Sequence, residues 1–455
     1  MRFFRTYEPL LFVLLLLTYT VQISFFPLQD WDESRHAANI YEMISRSDPF
    51  EYYYGNMPDN WSAKAPLFFY LQYIVQTLTG PGYLGLRLTT WIIGCLFLIR
   101  FRKRISKEFN PETAFSALCI LLSSRGFSGH HMALTGDTDI LLLFFLMEIV
   151  YAWNDLNSKS DTRAWLRLCL FTGLAFYTKS VAAFILYPGL FLRDYPKRHV
   201  WFDRPLRNTA AGITLFLLFP ILWIVQMIFL SKPLLDNTMG SSRLELAFSY
   251  DITQRFMGEH VLPPFSLFSA ADLNFTPWVY VLGILLILHP IVTRSFDGFR
   301  QTWVILFPVL PFIGFLEFTD RGVPWYAGPV WPFASIALSH LIMTLPIKFR
   351  SVFFLSFPLA AVIYTTQYVR MLNSTEYISL PQHKTKAVFY GLPYSQELYI
   401  RMLWNSDVQE YKMPSDTFRA EKNSLIFYGK EISTEKYSEC RQIYQKGDDR
   451  LILCK

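Results

Sequence analysis

Charge is scarce in this chain: of 455 residues only 17% are charged against 52% hydrophobic, and the apolar residues fall in long blocks. A soluble core disperses its apolar residues, so this pattern excludes an ordinary water-soluble globule and makes a bilayer the solvent. Residues 9–26 carry no charge at all and are long enough to cross a hydrocarbon core of roughly 30 Å. No small-x-small cleavage site follows them and the chain stays hydrophobic far beyond, so the block reads as a retained helix rather than a removable signal peptide. Cysteine is also scarce, with five residues and no metal-site spacing; Cys95, Cys119 and Cys169 lie in apolar blocks as small buried side chains. No tandem repeat or low-complexity tract is present.

The net charge is +6, yet the Lys and Arg residues cluster in short loops between apolar blocks, where they set membrane orientation rather than bind nucleic acid. Further blocks run at 83–99, 113–122, 140–153, 165–177, 181–192, 208–230, 277–292, 302–318, 326–347 and 352–368. With the first they predict about eleven spans, several of which need their polar flanks, or a re-entrant path, to cross. One set of loops holds Arg100, Arg102, Lys103, Arg104, Arg193, Lys197, Arg198, Arg204, Arg207, Arg294, Arg300, Lys348 and Arg350. The other set, 29–64, 123–139, 231–275 and 319–325, holds fewer cations per residue and most of the conspicuous acids and histidines, so it faces outward. The chain thus divides into a transmembrane domain, 1–371, and a polar C-terminal domain, 372–455, placed outside by an odd number of spans. Strand-like runs at 425–428 and 451–453 and a helix near 395–403 make that domain a small α/β unit. Cys440 and Cys454 both fall in it, either as a disulfide in an oxidising compartment or as two free thiols.

The first outer loop is the most informative stretch. Gln29-Asp30-Trp31-Asp32-Glu33-Ser34-Arg35-His36 gathers acids where the first span ends, and Ala37, Ile40, Tyr41 and Ile44 recur at helical spacing. An amphipathic helix lying on the membrane surface follows, with Asp32 and Glu33 in its first turn. Acids there either serve chemistry or simply stabilise the positive end of the helix dipole. Downstream, Trp61-Ser62-Ala63-Lys64-Ala65-Pro66 places a lysine directly before an aromatic segment. Lys64 either snorkels at the interface or meets a lipid phosphate there.

Asp-Glu-x-Arg at the end of the first span, then Glu42-Met43, then Lys64-Ala65-Pro66-Leu67 with Tyr70, resembles the first outer loop of the lipid-linked GT-C glycosyltransferases related to protein O-mannosyltransferases and lipid A aminoarabinose transferases. Further matches follow in order: Gly85-Leu86-Arg87-Leu88; Asp139 with Leu142, Phe144 and Phe145; Gly173-Leu174-Ala175-Phe176-Tyr177-Thr178-Lys179; and Val323-Pro324-Trp325-Tyr326 leading to Pro329, Trp331 and Pro332. The resemblance implies an all-α polytopic fold with outer-loop helices, in a bacterial inner membrane. It also implies a sugar carried on a polyprenyl phosphate, attacked at its anomeric carbon by a lipid, glycan or protein acceptor.

Such a transfer needs a carboxylate to orient or deprotonate the acceptor, contributing about 10²- to 10⁴-fold, and cations to hold the developing phosphate charge. By place in the motif the base is Asp32, with Glu33 the nearest competitor. Lys64 and Lys179 are the first candidate phosphate ligands; an ammonium at mid-membrane costs roughly 2.5 to 3.5 kcal/mol unless paired or near an interface. Arg321 is a third candidate, or else pairs with Asp320 or Glu317, and Arg87 ranks below it as a residue that could instead pair with an outer-loop acid. Arg35, Asp137, Asp139, Trp325 and Tyr326 are expected to contact substrate, Asp139 touching either substrate or the first-loop helix.

The resemblance departs at two points. Aminoarabinose transferases commonly carry Glu before the loop lysine where this chain has Ala63, and the loop before Pro277-Trp278 lacks the histidine-rich signature of some relatives, which leaves the acceptor open. No cofactor is required and no metal ligand is assigned. A divalent ion held by His130, His131, Glu259 and His260 is the alternative to reading these as solvated loop side chains. A transporter or flippase of a lipid-linked sugar, and a non-catalytic binding scaffold, are the readings from other classes. All of the enzyme reading requires Asp32, Lys64 and Lys179 to share one cavity.

Overall fold

The computed structural model describes residues 2–26, 28–29, 32–59, 64–129, 131–159, 161–197, 205–230, 266–317, 323–352, 356, 358–360, 385–390, 395–412, 423–428, 440–446 and 449–454. Helix α1 (Arg2–Phe25) is followed by α2 (Asp32–Arg46), a two-stranded hairpin of β1 (Tyr53–Tyr54) and β2 (Met57–Pro58), and α3 (Leu67–Thr79). Then come α4 (Tyr83–Glu108), α5 (Pro111–Leu122), the single turn α6 (Arg125–Ser128), α7 (Asp139–Lys159), α8 (Thr162–Lys179) and α9 (Tyr187–Asp194). Helices over Leu206–Val225, Leu267–Phe275, Trp278–Thr293, Asp297–Leu306, Leu310–Glu317 and Trp331–Thr344 complete the bundle.

Ten of the eleven apolar blocks coincide with helical segments; the last, 352–368, lies almost wholly outside the described residues. Fewer than eleven qualify as spans by length and composition. Among the described residues four do, Tyr7–Ser24, Tyr83–Glu108, Leu206–Ile228 and Asp297–Glu317, and two bent pairs raise the number to six. One pair, Thr162–Phe184 with Tyr187–Lys197, bends by 70°, the geometry of a broken span or a re-entrant loop, and it holds the blocks at 165–177 and 181–192. The blocks at 113–122 and 326–347 give helices of only 12 and 14 residues. Helix α7 is long enough, with a span of about 30 Å, but Asp139, Glu148 and Asp155 interrupt its apolar run.

The bundle core is one continuous apolar cluster. Tyr19, Phe97, Phe101, Phe115, Phe127, Trp331 and Leu338 are buried in it, and α5 and Trp331–Thr344 lie at its centre, enclosed on nearly every side.

The C-terminal region forms a five-stranded mixed sheet in the order β4-β3-β5-β7-β6: β3 (Thr385–Tyr390), β4 (Ser406–Lys412), β5 (Ser424–Tyr428), β6 (Cys440–Lys446) and β7 (Asp449–Cys454). Strands β4 and β5 run parallel to β3, whereas β7 is antiparallel to both β5 and β6. Cys440 and Cys454 face each other across β6 and β7 and are joined in a disulfide. The expected boundary at residue 371 falls outside the described residues. What is visible is that the sheet and the helix Gln396–Trp404 share one apolar cluster with Ala37, Ala38 and Tyr54 of the first loop and Leu86 of α4.

That cluster corrects one expectation. Helix α2 does not lie with a solvated polar face; Glu33, Ser34, His36, Asn39 and Glu42 are all buried beneath the C-terminal layer and the loop itself. The polar face tolerates burial because each of these side chains has at least one polar partner. Asn39 donates to the Tyr53 carbonyl at 2.7 Å and to Asp59 at 2.9 Å. The Glu42 carboxylate accepts from Gly55 N, Asn56 N and the Tyr399 hydroxyl at 2.9, 3.1 and 2.6 Å. Gly55 and Asn56 both adopt positive φ, 65° each, as a two-residue hairpin turn requires, and this turns their N–H groups onto Glu42.

Candidate active site

Asp32 opens α2, with its side chain nearly half exposed, where the chain enters the helix from the first span. Lys64 arrives from the far end of the same loop, just before Pro66 starts α3, and its ammonium lies 3.3 Å from Asp32 Oδ1 and 3.0 Å from His36 Nε2. His36 stands one helical turn from Asp32, on the same face. The 131–139 turn closes the other side. His131 Nδ1 donates to Asp137 and lies 3.6 Å from Asp32 Oδ2, while its ring stacks on Trp325 at 4.5 Å and 25°. His131 holds a φ of 61°, unfavourable for a residue with a Cβ, and the Asp137 bond and Trp325 stack are what hold it there.

Electrostatics follow from this packing. The Lys64 charge holds the Asp32 carboxyl well below the usual carboxylate range, against the opposing effect of burial. Burial raises Asp137, but the charge and hydrogen bond of His131 outweigh it and leave Asp137 well below its ordinary value. Burial lowers His131, yet Asp137 and Asp32 more than offset that and the net shift is upward. His36 goes the other way: burial first, then Lys64, bring it down to about 4.

Beside this cluster lies a cavity of about 430 Å³. Its polar end is formed by Lys64, Asp139, Lys179, Trp325 and Tyr326; the rest is apolar, with Val181, Phe184, Trp223, Phe312 and Phe315 among its walls. Lys179 is the last residue of α8, and its ammonium donates to Asp139, the first residue of α7, 6.0 Å from the Tyr326 ring. That ion pair offsets the cost of placing an ammonium in an apolar wall.

The structure brings Lys64, Asp139, Lys179, Trp325 and Tyr326 to the cavity wall, whereas Asp32 and Asp137 do not line it and join the site through Lys64 and His131. The contact with the first-loop helix falls to Asp137, 3.8 Å from His36 Nδ1, rather than to Asp139. Glu33, the competing base, points away from the cavity: its carboxylate pairs with Arg87 at 3.0 Å and accepts from the backbone N–H groups of Gly136 and Gln29. Burial raises Glu33 despite Arg87 and those N–H groups. Gly136 is needed for that approach, since a Cβ there would meet Leu86 at 2.5 Å. Arg87, likewise buried, does not line the cavity, and Arg35 turns to Asp59 at 2.9 Å, stacked over Tyr54. Arg321, Asp320, His130, Glu259 and His260 lie outside the described residues.

His131 corrects the reading of a solvated loop side chain: it is buried and central. Asp32, His131 and Asp137 place one ligand atom each within 4.8 Å of one another, a donor set that suits a divalent cation. Sequence reasoning offered His131 only as part of an alternative metal set with residues that lie outside the described ones, and it gave His36 no role, although the i, i+4 spacing from Asp32 could have flagged it.

Comparison with known proteins bears on the fold. Residues 63–224, which hold Lys64, Arg87, Asp139 and Lys179, match the family described as dolichyl-phosphate-mannose-protein mannosyltransferase. No curated protein sequence matches. The fold is that of ArnT from Cupriavidus metallidurans: the structure bound to undecaprenyl phosphate aligns with a TM-score of 0.70 at 13% identity over 98% of each chain. The apo form of the same protein aligns with a TM-score of 0.67, at the same identity and coverage. An oligosaccharyltransferase from Archaeoglobus fulgidus aligns at 0.50 and 13% identity, over 90% of this chain and 65% of that one. The GT-C architecture expected from the motifs, helical and membrane-spanning with a small C-terminal sheet region, is borne out.

Proposed function

We propose that this chain is a membrane glycosyltransferase that moves a sugar from a polyprenyl-phosphate donor to a lipid, glycan or protein acceptor at the extracytoplasmic face of a bacterial inner membrane. The observation that carries the reading is the cavity itself: two ammonium groups, Lys64 and Lys179, at the polar end of an otherwise apolar pocket, with the Asp32 carboxylate 3.3 Å from the first. An apolar chain with an anionic head matches that lining, and the undecaprenyl phosphate bound by ArnT has that form. The sidedness rests on the described residues of the loops at 29–64 and 123–139 and the segment Pro324–Val330, which meet where α4 and α7 begin, while Arg100 and Arg104 lie toward the far end of α4. The C-terminal layer packs on α2, hence on the same side as the site.

In this reading the donor phosphate takes the two ammonium groups, the sugar projects toward α2, and the acceptor hydroxyl is held by Asp32. The hydroxyl oxygen bonds to the anomeric carbon as the carbon–phosphate-oxygen bond breaks. The proton passes to Asp32, polyprenyl phosphate leaves on the lysines, and one displacement inverts the centre. Lys64 links the two halves: at rest its charge makes Asp32 a weak base, and a phosphate anion sharing the ammonium offsets that charge so that the carboxylate regains basicity. The chemistry needs no cofactor. A chelator titration reads whether a divalent ion at Asp32, His131 and Asp137 contributes.

A flippase reading is less favoured, because the charged lining residues Lys64, Asp139 and Lys179 sit at or just before helix termini rather than within helices along a path through the bundle. Asp32→Asn is the test. Transfer from a polyprenyl-phosphate sugar to envelope acceptors should be lost while undecaprenyl phosphate still binds; retained transfer would refute the assignment of the base.

A further inference from the structure

We infer that His36 is a positioning residue: its imidazole accepts a hydrogen bond from Lys64 and so presents the ammonium to both Asp32 and the cavity. The inference deepens the donor-phosphate reading and rests on it. An ammonium has three N–H donors and no lone pair. Among the described residues Lys64 directs one to Asp32 Oδ1 at 3.3 Å and one to His36 Nε2 at 3.0 Å, and it lines the cavity. The remaining donor is the one available to a phosphate oxygen.

Because the ammonium can only donate, His36 Nε2 must carry a lone pair, which places any ring proton on Nδ1. Nδ1 lies 3.8 Å from Asp137 Oδ1, beyond hydrogen-bond range, with the Gly136 backbone as a further polar neighbour, and the Lys64 contact at 3.0 Å is the side-chain hydrogen bond of the ring among the described residues. Packing fixes the ring orientation. His36 is 2% exposed, with Phe69 edge-on at 5.0 Å and 77° and Phe68 at 6.4 Å. Burial beside a cation keeps the ring neutral, as an acceptor must be. Lys64, by contrast, sits on a flexible stem in the loop before Pro66, and without a second acceptor its ammonium would be free to close on Asp32 or swing from the pocket.

The experiment uses the full chain in lipid nanodiscs, with undecaprenyl phosphate as the probe and thermal unfolding as a control for folding. His36→Leu should weaken probe binding about tenfold, the scale of one hydrogen bond to a charged group. His36→Gln, whose amide oxygen is an acceptor, should restore most of it. In a Lys64→Met background His36→Leu should cost nothing further. Wild-type affinity in His36→Leu, failure of glutamine to restore it, or an equal loss in the Lys64→Met background would each overturn the inference. If Lys64→Met itself leaves probe binding unchanged, the donor-phosphate reading fails and takes this inference with it.

Discussion

The two ends of the helical bundle use ion pairs differently. At the basic end, the Arg100 guanidinium grips Glu148 through two bonds of 2.7 Å, Arg102 closes on Glu8, and Arg104 bridges Glu108 and Asp155. At the other end Lys64 meets Asp32 and Lys179 meets Asp139, each beside an open cavity. A guanidinium fork saturates a carboxylate and fixes it, whereas an ammonium is a point charge on a mobile stem with donors to spare. Around the bundle, Arg100, Arg102 and Arg104 tie one helix to another, while the Lys64 and Lys179 pairs stand at the cavity where, in the proposed reading, a ligand intervenes. The Arg87–Glu33 pair obeys the same rule at the site end: it is an arginine pair, it is sealed, and it faces away from the pocket.

The largest expected effect is the loss of Asp32. Asp32→Asn should lower turnover by about 10²- to 10⁴-fold in a transfer assay, with the unfolding temperature little changed. Next, Glu33→Gln or Arg87→Met strands one partner of a buried pair and should cost about 3 to 5 kcal/mol in stability, read by thermal unfolding in detergent. Replacing both together should recover part of that. A smaller effect sharpens the contrast of lysine with arginine. Lys64→Arg keeps the charge but lets a fork close on Asp32, so turnover should fall about tenfold or more, while Arg100→Lys at the far end should leave turnover as it is. Equal sensitivity at both ends would break the comparison.

The smallest effect concerns pH. The folded state holds His36 at about 4, below its unfolded value near 6.5, so the unfolded chain binds more protons between those values. Stability from this group is present above pH 6.5 and is lost as pH falls toward 4, by on the order of 1 kcal/mol per pH unit. His131 is shifted up, so its contribution is present below pH 6.5 and is lost as pH rises through its folded value. Unfolding temperature should therefore peak near neutrality, and His36→Gln should flatten the acid side alone.

Much of this was legible in the chain. Asp32 is legible as the candidate base from its place in the motif that carries the resemblance, and Lys64 and Lys179 as candidate phosphate ligands also because each sits at a break between apolar and polar sequence. Strands β5 and β7, interior to the sheet and apolar, were readable, whereas the edge strands β4 and β6 are largely polar and were not. Hydropathy counted eleven blocks because it sees composition and not a 70° bend. Periodicity found α2 but could not tell water from a covering layer contributed by residues 385–454. His131 is legible as a metal-ligand candidate but not with its true partners, because Trp325 and Asp137 meet it across a turn with a positive φ, a tertiary fact with no local signature.

The most direct test is a structure of the full chain with undecaprenyl phosphate in a lipid nanodisc. The account predicts a phosphate within hydrogen-bond reach of both Lys64 and Lys179, the prenyl chain running past Val181, Phe184 and Phe315, and Asp32 facing the free side of the phosphate. A phosphate bound at the basic end of the bundle, or one that leaves both lysines on their carboxylates, would contradict it.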